Sequence, residues 1–288
     1  MFPSSFDYLS ARSVDEAVAA KAAGGEDTRI LAGGQSLIPM MKMRLASPAK
    51  LVDINRVSGL EAFERSNGHL RVGALVRHAD IARSPLAFGV VGAAAPWISD
   101  PLVRNLGTLC GSVAHCDPEG DWNSVLLATG ADVVARSPGG ERTIPITDFV
   151  VDVFTNALTE AEMVTEVRIP VPAGRAGGAY QKLERKVGDY ATVAVAVQLE
   201  LAADGTIARA GVALTAVVPV NTKVTAAEEL LAGNAPNAEL FAEAGELAAQ
   251  ASEPRDDVRG SAEWKRNVVR VFTRRALMAA HEQATATS

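Results

Sequence analysis

The chain has 288 residues, of which 48% are hydrophobic and 22% charged, and its formal net charge at pH 7 is −6. This composition is typical of a globular protein with a sizeable core, and it lacks the basic footprint of a nucleic-acid-binding domain. No apolar stretch reaches the ~18 residues of a membrane-spanning helix, and the first residues do not form a secretory signal, so we expect a cytoplasmic protein.

The first elements predict a small parallel α/β layer. Ser13 and Glu16 have the spacing of a capping box at a helix start, and Gly24-Gly25 would end that helix. A strand over 28–32, a helix over 36–44 and a strand over 50–54 are expected to follow.

The segment 32–36 (Ala-Gly-Gly-Gln-Ser) lies between the predicted strand and the predicted helix. Two glycines there allow backbone N–H groups to approach a ligand closely, and such a junction favours an anion such as phosphate. A tight turn followed by a helix cap explains an isolated Gly-Gly equally well.

A second glycine-rich segment lies in the next unit, for which the sequence predicts strands over 70–74, 131–135 and 164–169. Residues 105–121 are mostly small or polar, and we expect them to form a long functional loop. It leads to a short helix that Asp121 would cap. Two glycine-rich turns about seventy residues apart could hold the two ends of one extended, phosphate-containing cofactor.

Metal and nucleophile chemistry have little support. The two cysteines, Cys110 and Cys116, are too few to hold a [2Fe–2S] cluster, and we expect no disulfide between them. The trio 115–117 (His-Cys-Asp) consists of adjacent residues, which rarely converge on one metal. No catalytic residue and no metal ligand is predicted.

The last unit begins near residue 176, after the Pro- and Gly-rich segment 170–174. A strand over 192–201, the turn Asp204-Gly205 and a return strand over 206–217 predict a hairpin, and three helices should follow. The last helix is predicted over 261–281, before a polar, disordered tail over 283–288. Its core face is predicted from four residues: Trp264, Val268, Val271 and Phe272.

Several of these segments resemble the FAD-binding medium subunit of the molybdenum hydroxylase family, which includes carbon monoxide dehydrogenase and xanthine dehydrogenase. The two cofactor motifs of that family are similar to residues 32–36 and 107–112, the latter followed by Asp117-Pro118 and Asp121. Residues 182–192 (Lys-Leu-Glu-Arg-Lys-Val-Gly-Asp-Tyr-Ala-Thr) are most similar to the carbon monoxide dehydrogenase branch. The resemblance covers nearly the whole chain.

The resemblance implies an α+β fold with three parts. A two-subdomain FAD-binding fold of the PCMH / vanillyl-alcohol-oxidase type would occupy 1–55 (a small parallel α/β subdomain) and 56–175. A C-terminal domain over 176–285 would add an antiparallel sheet with a three-helix bundle.

The resemblance also implies an FAD site. The first segment would cradle the pyrophosphate, and the second would line the half towards the flavin. The implied cofactor-binding residues are Ala32, Gly33, Gly34, Gln35, Ser36, Thr108, Leu109, Cys110, Gly111, Ser112, Asp121, Val164, Lys182 and Tyr190.

Four of these residues have alternative interpretations. Asp121 would accept hydrogen bonds from FAD hydroxyls or serve only as a helix N-cap, and Lys182 would place a cation near the cofactor or lie on the surface. Tyr190 would stack near the flavin or be an ordinary buried aromatic. Cys110 stands where the family often has glycine, so its thiol would face the flavin or the loop would be displaced.

The implied function is electron transfer from a [2Fe–2S] small subunit through FAD to an external acceptor, with substrate oxidised on a molybdenum-binding large subunit. A dimer of heterotrimers is expected, with a peripheral membrane contact if the acceptor is a quinone. The complex would oxidise carbon monoxide; the alternative is an N-heterocycle, nicotine or purine hydroxylase. A stand-alone flavin oxidase and a non-redox nucleotide-binding module are the alternatives of another class.

Overall fold

The computed structural model describes residues 2–286, and its first sheet is parallel. Three strands pair in the order β1-β3-β2, and they are β1 (Asp7–Ser10), β2 (Thr28–Leu31) and β3 (Lys50–Asp53). The expected parallel α/β layer is confirmed. Strand β1 adds an edge that the sequence pattern did not reveal.

Two helices connect these strands, α1 (Val14–Gly24) and α2 (Leu37–Lys42). The Ser13 cap is confirmed, because Ser13 Oγ accepts from Glu16 N at 3.1 Å. The reciprocal half of the predicted capping box is wrong, because the Glu16 carboxylate accepts from Arg12 N at 2.7 Å and not from Ser13 N. Helix α2 begins directly after the glycine-rich segment, so its first turn faces whatever that segment holds.

The second sheet is antiparallel and has the order β4-β5-β10-β6-β7. Its strands are β4 (Phe63–Ser66), β5 (His69–Gly73), β6 (Asp132–Ser137), β7 (Gly140–Pro145) and β10 (Met163–Pro170). A separate short hairpin consists of β8 (Val150–Asp152) and β9 (Thr155–Asn156).

Six short helices belong to the same part of the chain, and α6, α7 and α8 pack against this sheet. The six are α3 (His78–Arg83), α4 (Gly89–Ala94), α5 (Pro101–Leu106), α6 (Leu109–His115), α7 (Asp121–Thr129) and α8 (Ile146–Phe149). The prediction of one long loop over 105–121 is therefore wrong. Helix α6 occupies its middle, because Thr108 caps that helix and Leu109, Cys110 and Val113 are buried against the core.

The C-terminal part contains a four-stranded antiparallel sheet with the order β11-β12-β13-β14. Its strands are β11 (Ala176–Glu184), β12 (Ala191–Leu201), β13 (Ile207–Thr215) and β14 (Thr222–Lys223). The predicted hairpin at Asp204-Gly205 is confirmed. Three helices follow in the described part of the chain: α9 (Thr225–Leu231), α10 (Ala238–Ala251) and α11 (Ala262–Ala286).

Strand β12 joins two hydrophobic cores because its alternating side chains belong to different layers. The small residues Ala194 and Ala196 lie in the core of the first two thirds of the chain. On the opposite face, Val193, Val195 and Val197 pack into the core beneath the C-terminal helices. Because alanine side chains are small, the earlier part of the chain packs closely against this face of β12. Strand β12 therefore contributes to both hydrophobic cores.

The predicted core face of the last helix is wrong in part. Trp264 is 44% exposed, whereas Val269 and Leu277 are fully buried. The prediction of a disordered tail is also wrong over 283–286, because these residues continue helix α11. Residues 287–288 of the predicted tail lie outside the described residues. Within residues 2–286, every helix is too short or too polar to cross a lipid bilayer.

Candidate cofactor site

The two glycine-rich segments open onto one cavity of about 950 Å³. Its walls come from the end of β2, the start of α2, helix α6, the start of α7, strand β10 and the connection between β11 and β12. Most of the predicted site residues line it: Ala32, Gly33, Gly34, Gln35, Ser36, Thr108, Cys110, Gly111, Ser112, Asp121, Val164 and Tyr190. Two of the predicted site residues, Leu109 and Lys182, do not belong to the lining in the part of the chain that the structure describes.

The first segment presents unused backbone donors. None of the hydrogen bonds within residues 2–286 uses the N–H groups of Gly33, Gly34, Gln35 or Ser36. Gly34 has φ of +70°, a conformation that glycine adopts without steric cost. Successive amides in such a turn, at the start of helix α2, form a nest suited to an anion.

Gly33 has a second role, in packing. A Cβ at this position would lie 2.2 Å from the backbone oxygen of Leu106 and 2.7 Å from Cα of Gly107. The first glycine-rich segment therefore touches the second directly, backbone against backbone. Glycine is required here by that contact, independently of any ligand.

The second segment is held in place by a cap and a buried thiol. Thr108 Oγ1 accepts from Gly111 N at 3.0 Å, which fixes the first turn of α6. Cys110 is 2% exposed, and its Sγ donates to the carbonyl oxygen of Val72 at 3.4 Å. Burial raises the pKa of the Cys110 thiol, so the residue behaves as a packing group whose sulfur is turned to strand β5.

Asp121 is the first residue of α7, and its carboxylate makes no capping bond to the helix backbone. One carboxylate oxygen accepts from Tyr180 Oη at 2.5 Å and the other from Lys182 Nζ at 3.0 Å. The interpretation of Asp121 as only an N-cap is wrong. The surface interpretation of Lys182 is also wrong, because its side chain is 1% exposed.

A second carboxylate completes this buried cluster. Glu184 Oε2 lies 3.6 Å from Lys182 Nζ, and its other oxygen accepts from Gly188 N at 3.2 Å. Burial raises the pKa of Asp121, and the neighbouring Lys182 ammonium opposes that rise. Burial and the Asp121 carboxylate raise the pKa of Tyr180, so its hydroxyl remains a donor at neutral pH.

His78 and Trp122 form another buried pair on the cavity wall. Trp122 Nε1 donates to His78 Nδ1 at 3.0 Å. Burial, together with the positive charges of Arg104 and Arg77, lowers the pKa of His78 to about 3. The imidazole is therefore neutral, and since Nδ1 accepts, Nε2 bears the proton.

Val164 and Tyr190 are two further predicted residues that belong to the lining. Val164 belongs to β10 and is 7% exposed. Tyr190 is 48% exposed, so its interpretation as an ordinary buried aromatic is wrong. The partial burial of its hydroxyl and the carboxylate of Asp117 raise the pKa of Tyr190 to about 12.

Sequence reasoning missed several residues that shape this site. Tyr180 and Glu184 could have been found, because they share one face of β11 with Lys182 in the alternation of a strand. Asn55, Arg77 and His78 gave no such signal, because their partners are 22 to 44 residues away in sequence.

The chain matches two protein-family models that together span most of its length. Residues 4–172 match the FAD binding domain in molybdopterin dehydrogenase, and residues 178–280 match the CO dehydrogenase flavoprotein C-terminal domain.

Individual relatives are similar over their full length. The carbon monoxide dehydrogenase medium chain of Hydrogenophaga pseudoflava is 37% identical over 97% of this chain and 98% of the relative. The 6-hydroxypseudooxynicotine dehydrogenase complex subunit alpha of Paenarthrobacter nicotinovorans is 36% identical over 100% of this chain and 98% of the relative. A solved carbon monoxide dehydrogenase from Hydrogenophaga pseudoflava superposes with a TM-score of 0.94 at 38% identity, covering 98% of this chain and 99% of the matched one.

Proposed function

The chain belongs to the FAD-binding medium subunits of the molybdenum hydroxylase family, and from this we propose that its FAD occupies the cavity between the two glycine-rich segments. The free amides of Gly33 to Ser36 are the observation on which this placement rests, since four unused donors at a helix start suit a pyrophosphate. When bound, FAD supplies the capacity to accept and release electrons, and the protein supplies binding and orientation.

The remaining wall residues fit this placement. Each oxygen of Asp121 already accepts one bond, and a carboxylate oxygen can accept a second, so Asp121 remains able to bind a cofactor hydroxyl. Lys182 would act through Asp121, since Lys182 lies behind the lining. Leu109 would contribute only the packing of α6. The side chain of Val164 would contact the cofactor from strand β10.

The domain limits proposed from the sequence, 1–55, 56–175 and 176–285, suit this arrangement. The first two parts provide the two glycine-rich segments, and the third contributes Tyr190 to the lining and Lys182 behind it. In this proposal the cofactor is bound mainly by the first two parts.

We propose that an apolar rim beside the cavity docks the [2Fe–2S] subunit. This rim consists of Trp97, Leu102, Leu106, Val187 and Tyr190, which are between 45% and 94% exposed. The 185–190 connection is fixed next to α5, since Ser99 Oγ donates to Gly188 O at 3.4 Å. Exposed apolar groups next to one another are typical of a protein interface.

For the wider assembly we propose a molybdenum-binding large subunit as third partner, a dimer of heterotrimers, and a peripheral membrane contact when the acceptor is a quinone. A cytoplasmic location is proposed as well, and the two free, buried thiols of the described chain agree with a reducing compartment.

Substrate oxidation is assigned to the large subunit. Carbon monoxide is our first candidate, supported by the similarity to the Hydrogenophaga chain in both sequence and structure. A nicotine-type N-heterocycle derivative is the second, supported by the Paenarthrobacter relative at nearly the same identity.

The experiment compares the isolated chain with the complex. The complex should reduce its FAD with its own reductant, whereas the isolated chain should bind FAD and remain oxidised. In the complex, Val187→Arg should slow reduction of FAD in rapid-mixing absorbance without changing FAD content. Met278→Arg, at an exposed position of α11, is the matched control. Reduction of FAD by the substrate in the isolated chain would contradict the proposed function.

A further inference from the structure

We propose that Asn55 and Arg77 form a brace that fixes the separation of the two glycine-rich segments and thereby sets the affinity for FAD. The inference rests on the proposed function, in which FAD spans both segments. It adds two positioning residues that belong to neither segment and lie outside the cavity lining in the described chain.

The first half of the brace holds the first segment. Asn55 follows β3, and its Nδ2 donates to the carbonyl oxygen of Ala32 at 2.8 Å. The same side chain is oriented by Asp53, whose Oδ1 accepts from Asn55 Nδ2 at 2.6 Å and from Asn55 N at 2.8 Å. Because Nδ2 is committed as a donor, Oδ1 of the Asn55 amide is free to accept.

The second half holds the second segment. Arg77 Nη2 donates to Asn55 Oδ1 at 2.6 Å, and Arg77 Nη1 donates to the carbonyl oxygen of Leu106. Leu106 is the last residue of α5, so its carbonyl has no partner within that helix. The backbone next to Arg77 is also joined to this segment, because His78 N donates to Gly107 O at 3.0 Å.

The brace crosses the point where the two segments touch. The backbone of Gly33 faces the oxygen of Leu106 so closely that there is no room for a Cβ between them. A contact of backbone against backbone has no interlocking side chains to hold its spacing. The forked guanidinium of Arg77 fixes the spacing instead, because it binds Asn55 and Leu106 at the same time in a rigid geometry.

A simpler role for Arg77 is that its positive charge attracts the phosphates. The structure allows the two roles to be separated. Asn55→Ala leaves the charge of Arg77 in place and removes the links from Asn55 to Ala32 and to Arg77. Arg77→Gln removes both the charge and the fork. Arg77→Lys keeps the charge and loses the fork.

The test titrates the flavin-free full chain with FAD and follows flavin fluorescence. Arg77→Gln and Asn55→Ala should each weaken FAD binding about tenfold, the scale of one hydrogen bond to a charged group. The double variant should be no weaker than the stronger single variant, because either change breaks the same link. Arg77→Lys should recover only part of the affinity. Arg83→Gln should bind like wild type, because Arg83 is exposed at the far end of α3, the helix that Arg77 precedes.

The thermal midpoint of the flavin-free chain separates positioning from general stability. It should change little in Asn55→Ala, because Asn55 is exposed, while FAD affinity falls. Wild-type affinity in Asn55→Ala, or additive losses in the double variant, would overturn the brace. Failure of the wild-type chain to bind FAD would instead contradict the proposed function.

Discussion

The part of the chain before residue 175 and the part after it are built differently. The first part arranges helices of 4 to 11 residues around a cavity. The second consists of three strands of 9 to 11 residues and a fourth of 2, covered by helices that include one of 25. Short elements leave backbone groups free at their ends, whereas long paired strands use theirs internally.

The comparison suggests a division of roles. Changes in the first part should alter FAD affinity before they alter stability, and changes in the C-terminal core should do the reverse. Strand β11 is the exception, because Tyr180 and Lys182 bind Asp121 on the cavity wall.

The largest effect on FAD is expected from Gly33→Val. Its side chain would collide with the backbone at Leu106 and Gly107, which cannot move as a flexible side chain can. We expect purified protein with almost no bound flavin. Gly139→Val is the matched control, since a Cβ there has only Ser137 Oγ nearby, at 3.6 Å. A folded Gly33→Val chain with its full complement of FAD would contradict the account.

Asp121→Ala should affect both properties. It removes a buried partner of Lys182 and the acceptor of the Tyr180 hydroxyl. We expect a loss of about 3 kcal/mol in unfolding free energy, at the low end for a broken buried pair because Glu184 remains, and weaker FAD binding. Denaturant unfolding with and without FAD measures both. A loss of only about 1 kcal/mol in unfolding free energy, with unchanged FAD affinity, would show that Asp121 has a minor structural role and does not bind the cofactor.

Leu277→Ala examines the C-terminal core by itself. Leu277 is fully buried beneath the sheet, so truncation should cost about 2–5 kcal/mol of unfolding free energy. The FAD dissociation constant of the folded variant should stay within about twofold of wild type, because Leu277 is remote from the lining. A parallel loss of FAD affinity would break the comparison between the two parts.

The next prediction concerns pH and an ion pair at β7, the edge strand of the second sheet. Hydrogen bonds from Arg142 lower the pKa of Glu162 below its usual 4.5. A carboxyl with a depressed folded pKa adds stability above its unfolded pKa and loses it as pH falls through the folded pKa. In Arg142→Gln the thermal midpoint should therefore fall less steeply below about pH 4.5 than in wild type. The pair should add less than about 1 kcal/mol to the unfolding free energy, because Arg142 is half-exposed. Identical acid profiles would show that the pair adds nothing.

The smallest effect is expected from Trp264→Ala. The residue is 44% exposed although its helical position suggested the core, so the change in unfolding free energy should be below about 0.5 kcal/mol. A cost of several kcal/mol in denaturant unfolding would show that the C-terminal helix has a partner in solution.

Local signals were sufficient for the first glycine-rich segment and for seven strands, which are β2, β3, β5, β6, β10, β12 and β13. The alternation in β12 and the Asp204-Gly205 turn depend on neighbouring residues, and both are confirmed. Helix α6 was missed because a seven-residue helix with a central glycine is stabilised by burial and by the Thr108 cap rather than by propensity.

Long-range pairing explains the other differences. Asp121 and Lys182 are 61 residues apart, so no local pattern predicts that the carboxylate binds the ammonium. The same holds for Arg77 and Leu106, which are 29 residues apart. Such partners become visible only when the sheets bring the segments together.

Amide hydrogen exchange of the full chain, with and without FAD, tests the central claim most directly. FAD should protect peptides covering 31–40, 105–121 and 185–191, which line the cavity, while exchange in α10 and α11 should stay unchanged. Protection confined to the C-terminal helices, or absent from residues 31–40, would contradict the placement of FAD between the two glycine-rich segments.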